Sequence, residues 1–375
     1  MTLTLAFRNL FHDRIRLAVT LVGILFSIVL VAVQLGVYLG ASKLIVSMVK
    51  RADSDIWIMG YGTKNFEAAK GITLRDKYAA LSTAGVKSAT PMVAQFNEWK
   101  RPDGGNVIVM MVGSDPGTRG VTPWNIVEGD LADLNTRDAV FIDKSYLAEL
   151  GVNGVGDTAQ LGGQRVRVVG LTEGIRSFTT IPFVFTTLSR GRQLLNMTTD
   201  MTSYVLLELE PGSDPVAVRN LLTEKLPDAE VMLGSDFEAR TLKHWLFNTG
   251  AGIALIGGAL LGLIVGTVIV AQTLYSSTKD HLNEFATLRA LGSSKGYIYK
   301  VILAQAAISA VVGYAIGMAI ALAIVYATQN TALPIIMTPG LAALLFALTL
   351  FMCGVSAIAA ISKVTRIDPA MVFSR

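Results

Sequence analysis

Three long stretches of the chain contain no Asp, Glu, Lys or Arg: Leu17 to Ser42, His244 to Thr278 and Val301 to Ser362. A helix that crosses a bilayer needs about 20 consecutive apolar residues, so each of the first two stretches predicts one membrane helix. The third is too long for one span, and Thr328-Gln329-Asn330-Thr331, Pro334 and Pro339 interrupt it, which predicts two spans joined by a short loop. The four predicted spans are 17–39, 249–274, 301–327 and 341–361. From 40 to 245 the pattern changes: charges return at ordinary density, and short runs rich in β-branched and aromatic residues appear at Asp55–Met59, Val107–Val112, Ala139–Ile142, Phe183–Thr187 and Tyr204–Glu210, as strands require. Gly162-Gly163 separates Ala159–Leu161 from Arg165–Val169 and predicts a hairpin turn. Asp214-Pro215 opens a helix with Val218, Leu221, Leu222 and Leu226 on one side, and Asp76–Leu81 predicts a shorter one. The expected fold is an α-helical membrane protein with four transmembrane helices and a large extracytoplasmic α+β domain inserted between the first two.

Composition agrees: 52% of residues are hydrophobic and 16% charged, where a soluble domain carries about 25% charged residues. A wholly cytosolic or secreted protein is excluded. The formal net charge of +4 divides unevenly. Arg8, Arg14, Arg16, Lys279, Arg289, Lys295, Lys300, Lys363, Arg366 and Arg375 flank the spans against only Asp13, Asp280, Glu284 and Asp368, which leaves the inserted domain at about −2 with no nucleic-acid footprint. Short basic flanks stay in the cytoplasm whereas long domains translocate regardless of charge. Both termini, 1–16 and 362–375, and the loop 275–300 are therefore expected in the cytoplasm, with the large domain and the loop from Thr328 to Gly340 outside. The first apolar core exceeds the 7–15 residues of a signal peptide and reads as a retained anchor. Cys353, the only cysteine, falls in the fourth span, so no disulfide is expected outside.

The search for chemistry returns little. His12, His244 and His281 lie far apart, no Gly-x-x-x-x-Gly-Lys-Ser/Thr loop occurs, and Gly60-Tyr61-Gly62 lacks the spacing of a phosphate loop. No catalytic, cofactor-binding or metal-binding residue is predicted. The spans carry none of the ionisable side chains that ion-coupled carriers use; Gln34, Gln272 and Gln305 are their largest polar groups. They do carry small residues at four-residue spacing, Gly258, Gly262 and Gly266 in the second span and Ser309, Gly313, Gly317 and Ala321 in the third. Such rows permit close helix contact, either within one subunit or as a seam between two copies.

The loop His281–Lys300 is the most specific feature. Leu282, Phe285, Leu288 and Leu291 spread over half of a helical wheel, Asp280, Asn283, Glu284 and Thr287 over the other half, and Gly292 is placed to end the helix. Such a helix suits either a lipid surface or a protein partner. Glu284-Phe-Ala-Thr-Leu-Arg-Ala-Leu-Gly292 resembles, residue by residue, the E-x-A-x-L-R-A-L-G signature of permeases in the FtsX and MacB group of ABC transporters. Ala6-Phe-Arg-Asn-Leu-Phe with Arg14-Ile-Arg resembles that group's amphipathic N-terminal helix, and Arg366-Ile-Asp-Pro-Ala370 its C-terminal ending. Ala52–Met59 with Gly62–Phe66 is similar to the DevC branch, permeases of glycolipid-type exporters.

The resemblance implies a multi-pass permease of the bacterial inner membrane that forms a homodimer. It also implies coupling to a separate ATPase, which carries the ATP and magnesium, through Leu282, Glu284, Phe285, Leu288, Arg289, Leu291 and Gly292. It further implies a porter-like lobe at 40–113 and 181–245 with an inserted lobe at 114–180. A periplasmic adaptor (membrane fusion protein) and an outer-membrane channel would then complete an exporter of a lipid, glycolipid or other hydrophobic substrate. The other reading the group allows is an FtsX-like signal transmitter that activates an extracytoplasmic enzyme without transport.

Overall fold

In the computed structural model, which describes residues 2–281, 284, 285, 287, 293–329, 331 and 333–364, the chain divides into two compact units. One is Ala41–Ala251; the other combines the segments on either side of it. Helix α1 (Thr2–His12) stops at Asp13, whose carboxylate accepts a hydrogen bond from Arg16 N at 3.1 Å and so starts α2 (Arg14–Ile45). After α3 (Ser47–Ala52), the large domain runs in order through β1 (Ile56–Gly60), β2 (Ile72–Thr73), α4 (Leu74–Leu81), β3 (Val86–Lys100), β4 (Asn106–Gly113), β5 (Ile126–Glu128) and β6 (Ala139–Asp143). It continues through α5 (Leu147–Leu150), β7 (Thr158–Leu161), β8 (Gln164–Thr172), β9 (Phe183–Thr186), α6 (Leu188–Leu194), β10 (Met201–Thr202), β11 (Tyr204–Leu209), α7 (Pro215–Lys225), β12 (Ala229–Leu233) and α8 (Gly234–Lys243). A π-helical turn, His244–Asn248, then precedes α9 (Ala251–Asp280), α10 (Lys295–Thr328) and α11 (Pro339–Val364).

Four of these helices, α2, α9, α10 and α11, are long and apolar enough to cross a membrane. Each outruns the predicted span. At 1.5 Å per residue the 32-residue α2 is about 48 Å long, against about 30 Å of hydrocarbon. Helix α11 begins at Pro339, not at Leu341, because Pro fits the first helical position, where its missing N–H is not needed, and the Thr338 hydroxyl accepts a hydrogen bond from Leu341 N at 3.1 Å.

Helix α2 is gripped from two sides. A Cβ on Gly258, Gly262 or Gly266 of α9 would meet Gln34, Leu30 or Ser27 of α2 at 2.4–2.9 Å, and one on Gly313 or Gly317 of α10 would meet Ile24 or Ile28 at 2.5 and 3.1 Å. Ser27 Oγ donates to Gly262 O at 2.9 Å. Both glycine rows therefore pack against α2 of the same chain. Farther along α2, Gly40 accepts the approach of the Pro334 carbonyl, and Gly36 O receives a hydrogen bond from Ile336 N at 3.1 Å.

In the large domain the strand order is β12-β1-β11-β3-β4-β9-β6-β8-β5, with β7 pairing to β3 and β8. The 15-residue β3 joins the two halves of this order: Val86–Met92 pair with β11 and Val93–Lys100 with β4. Strands β1, β6 and β9 are buried at every position, so they read as continuous apolar runs instead of alternating ones. Trp57, Phe66, Tyr204 and Phe237 form the aromatic centre of one core, with Trp57 at 5.1 Å from Tyr204 and 5.0 Å from Phe237. Residues 114–180, the expected inserted lobe, supply β5–β8 to a sheet that also contains β3, β4 and β9 from outside that segment. Gly162 and Gly163 make the predicted turn with φ of 57° and 76°, conformations that favour glycine. Asp214 caps α7, but of its expected apolar side only Val218, Leu222 and Leu226 are buried; Leu221 is 51% exposed. Near the π-helical turn, Trp245 Nε1 donates to Glu67 at 3.1 Å. Burial pushes the Glu67 carboxyl above its usual range, and this hydrogen bond offsets part of that rise.

The grip on α2 predicts a position-specific cost. A Cβ at Gly266 would sit 2.4 Å from Ser27 Cβ and 2.8 Å from Met352 Sδ, whereas one at Gly354 meets open space. Gly266→Ala should destabilise by about 1–3 kcal/mol through overpacking and lower the Tm of the purified full-length protein in detergent. Gly354→Ala should leave the Tm unchanged or raise it; similar losses in both variants would contradict this packing.

Candidate coupling surface

The sequence places its most specific motif between α9 and α10, and the structure describes part of it. His281, Glu284, Phe285 and Thr287 are described; Leu282, Leu288, Arg289, Leu291 and Gly292 lie outside the described residues. Past α9, His281 N is bonded to Ser277 O at 3.2 Å and Phe285 N to His281 O at 3.0 Å. Phe285, 5% exposed, packs with Ala6 of α1 and Val301 of α10, flanked by Leu5, Tyr297 and Ile298. On the opposite side Glu284 and Thr287 are exposed, and the Glu284 carboxylate lies 3.1 Å from His281 Nδ1. Of the expected partner-facing residues, Phe285 is thus committed to the protein's own membrane unit, while Glu284 stays available.

Helix α1 forms the floor beneath Phe285. Its Ala6 and Asn9 are buried, whereas Phe7 and Phe11, with ring centroids 4.3 Å apart, form an exposed aromatic pair on another face. That division is the amphipathic arrangement expected of a helix at a membrane surface. Asn9 Nδ2 has no hydrogen-bond partner among the described residues. It borders a narrow polar cleft with Asp13, Arg16, Thr20, Ser277 and Gln305.

Arg16 ties this end of α2 to α9. Its guanidinium bridges Asp280, the last residue of α9, and lies 3.3 Å from Asp13. With over half of the Asp280 side chain exposed, the pair adds little to stability, but it fixes the two helix ends to each other.

Two family models account for most of the chain. The MacB-like periplasmic core domain matches residues 17–225, more than half of the chain, and the FtsX-like permease C-terminal domain matches 256–369. The chain belongs to the FtsX/MacB-like family of ABC transporter permeases. FtsX/MacB-like permeases are membrane subunits that work with a partner ABC ATPase, and four helices long and apolar enough to cross a membrane make this chain a multi-pass member. The FtsX-like match contains the whole loop between α9 and α10. No curated protein gives a significant match. Among solved structures, the periplasmic region of MacB from Actinobacillus actinomycetemcomitans is similar at 12% identity over 52% of this chain and 96% of that one, with a TM-score of 0.38. The extracellular domain of the noncanonic ABC-type transporter YknZ from Gram-positive bacteria is similar at 16% identity over 48% and 98%, with a TM-score of 0.36. A permease-protein domain from Porphyromonas gingivalis follows at 13% over 49% and 90%, with a TM-score of 0.34.

Proposed function

We propose that this permease exports a lipid, glycolipid or other hydrophobic substrate by moving its large domain, without passing the substrate between its helices. One observation carries the reading. Helix α2 continues as one helix from the membrane unit into the large domain, through the boundary at Gly40 and Ala41 to Ile45. A continuous hydrogen-bonded helix transmits displacement along its axis. The uncharged spans support the same reading, since a polar pathway would need ionisable or strongly polar lining.

The second connection is built differently. Between α8 and α9 stand a π-helical turn and Gly250 at φ +82°, a break that serves as a joint and not as a rod. In this account α2 pushes while the α8–α9 joint bends. The drive comes from closure of two ATPase subunits, which hold the ATP and magnesium, against the loops of a permease homodimer. Leu288, Arg289, Leu291 and Gly292 of the signature belong to that contact with Glu284, and Phe285 anchors it from beneath. The similarity of Ala52–Met59 and Gly62–Phe66 to DevC-type permeases favours a glycolipid-type substrate and a periplasmic adaptor leading to an outer-membrane channel. Both termini and the α9–α10 loop face the cytoplasm of a bacterial inner membrane.

Two measurements check this reading. For orientation, thiols at Ser294→Cys should be shielded from a membrane-impermeant reagent in intact cells while those at Ser145→Cys and Thr331→Cys react, all three positions being exposed and the native Cys353 buried. Labelling of Ser294→Cys from outside would overturn the topology.

For coupling, Glu284→Arg and Leu288→Asp should each reduce co-purification of the ATPase about tenfold or more, the latter because an unpaired buried carboxylate costs several kcal/mol. The Tm should not change in Glu284→Arg. Phe285→Ala should instead lower the Tm, because it empties a buried site at a cost of about 3–5 kcal/mol. Undiminished ATPase recovery with both Glu284→Arg and Leu288→Asp would place the loop on lipid alone.

A further inference from the structure

The large domain carries a local excess of positive charge that its balance of about −2 conceals. The turn after β1, strand β12, helix α8 and the π-helical turn enclose an open depression of about 430 Å³. Lys64, Arg240, Lys243 and His244 line it, and Glu230 is the only carboxylate among its lining residues. That carboxylate is already used: Arg240 Nη2 donates to Glu230 Oε1 at 2.5 Å, while Arg240 Nη1 donates to the Thr63 carbonyl at 3.2 Å. The arginine fork is thereby held in one orientation. Lys64 and Lys243 are exposed, and neither makes an ion pair among the described residues. His244 Nδ1 is buried and has no hydrogen-bond partner among them. Gly62, at φ +79°, leaves room at the rim for Lys70, whose Nζ would lie 3.0 Å from any added Cβ.

Lysine ammonium groups beside a fixed guanidinium make a recognition set for phosphate oxygens. The place in the chain points to the source of that phosphate. Asn248, also in the lining, precedes Ala251, the first residue of the apolar helix α9, by three residues, and three residues extend at most about 11 Å. Trp245, in the same π-helical turn, is of the residue class that settles at the water–lipid boundary. We propose that this depression binds the phosphate of an anionic lipid headgroup, with Lys64 and Lys243 as its charge partners and Arg240, held by Glu230, as the fixed donor. The site fastens the α8–α9 joint to the bilayer surface, and it stands whether the permease exports or only signals.

Each basic residue near an anionic surface strengthens attraction about fivefold. Full-length protein in mild detergent, titrated with phosphatidylglycerol or phosphatidylcholine and read by native mass spectrometry, should retain phosphatidylglycerol preferentially. Lys64→Glu combined with Lys243→Glu should weaken that retention about twentyfold or more with an unchanged Tm, since both side chains are exposed. Lys100→Glu, the same charge reversal at the far end of β3, should change nothing. Displacement of the lipid by millimolar inorganic phosphate would overturn the lipid assignment in favour of a free anion; persistence of the lipid supports it. Equal retention of both lipids, unaltered in the double variant, would overturn the site altogether.

Discussion

The close approach of α9 and α10 to α2 is the contact on which the rest of the structure depends. Away from the Arg16–Asp280 pair at their ends, these helices meet through apolar and small residues, and lipid tails are as apolar as their leucines, so association along the spans comes mainly from dense packing. Glycine supplies it: at Gly262, Gly266 and Gly313 the facing side chain of α2 occupies the volume where a Cβ would be. Clamped in this way, α2 has little freedom to tilt alone. Its helix runs unbroken past Gly40 to Ile45, which is the feature the proposed transmission of motion uses.

The two chain connections between membrane unit and domain differ in backbone geometry. One is a helix with its hydrogen bonds intact through Ile45; the other contains five residues of π-helix and a glycine in the left-handed region. The joint is nonetheless tied to the domain, since Trp245 reaches Glu67 and stacks edge-on against Phe178 at 5.8 Å. At the opposite end of the membrane unit, Phe285 and the Arg16–Asp280 pair connect the family's signature loop to the same clamped helix.

Much of this was legible because membrane and sheet impose strong periodicities. Blocks without charge located all four spans, and the apolar runs at Asp55–Met59, Val107–Val112 and Tyr204–Glu210 became β1, β4 and β11 within one or two residues. What escaped depends on long-range pairing. Strand β3 contains Pro91, Gln95, Asn97 and Glu98, so its local pattern is broken, and only its exchange of partners from β11 to β4 makes it one strand. That exchange also places β4, from outside 114–180, in one sheet with the strands of that segment. The glycine rows announced close packing but not against what; only the positions of Ser27, Leu30 and Ile24 decide it. Phe285 looked equivalent to the other apolar residues of the loop because a helical wheel does not reveal that α1 folds under it.

The central claim is that ATP binding to the partner moves the large domain. Spin labels at Lys100→Cys, an exposed site on β3 remote from the buried native Cys353, would report the distance between two copies in the complex with the ATPase. The account predicts distance distributions that differ by several ångströms between the nucleotide-free and ATP-trapped states, with Gly266→Ala blunting the change. Identical distributions in a complex that hydrolyses ATP at its full rate would contradict it.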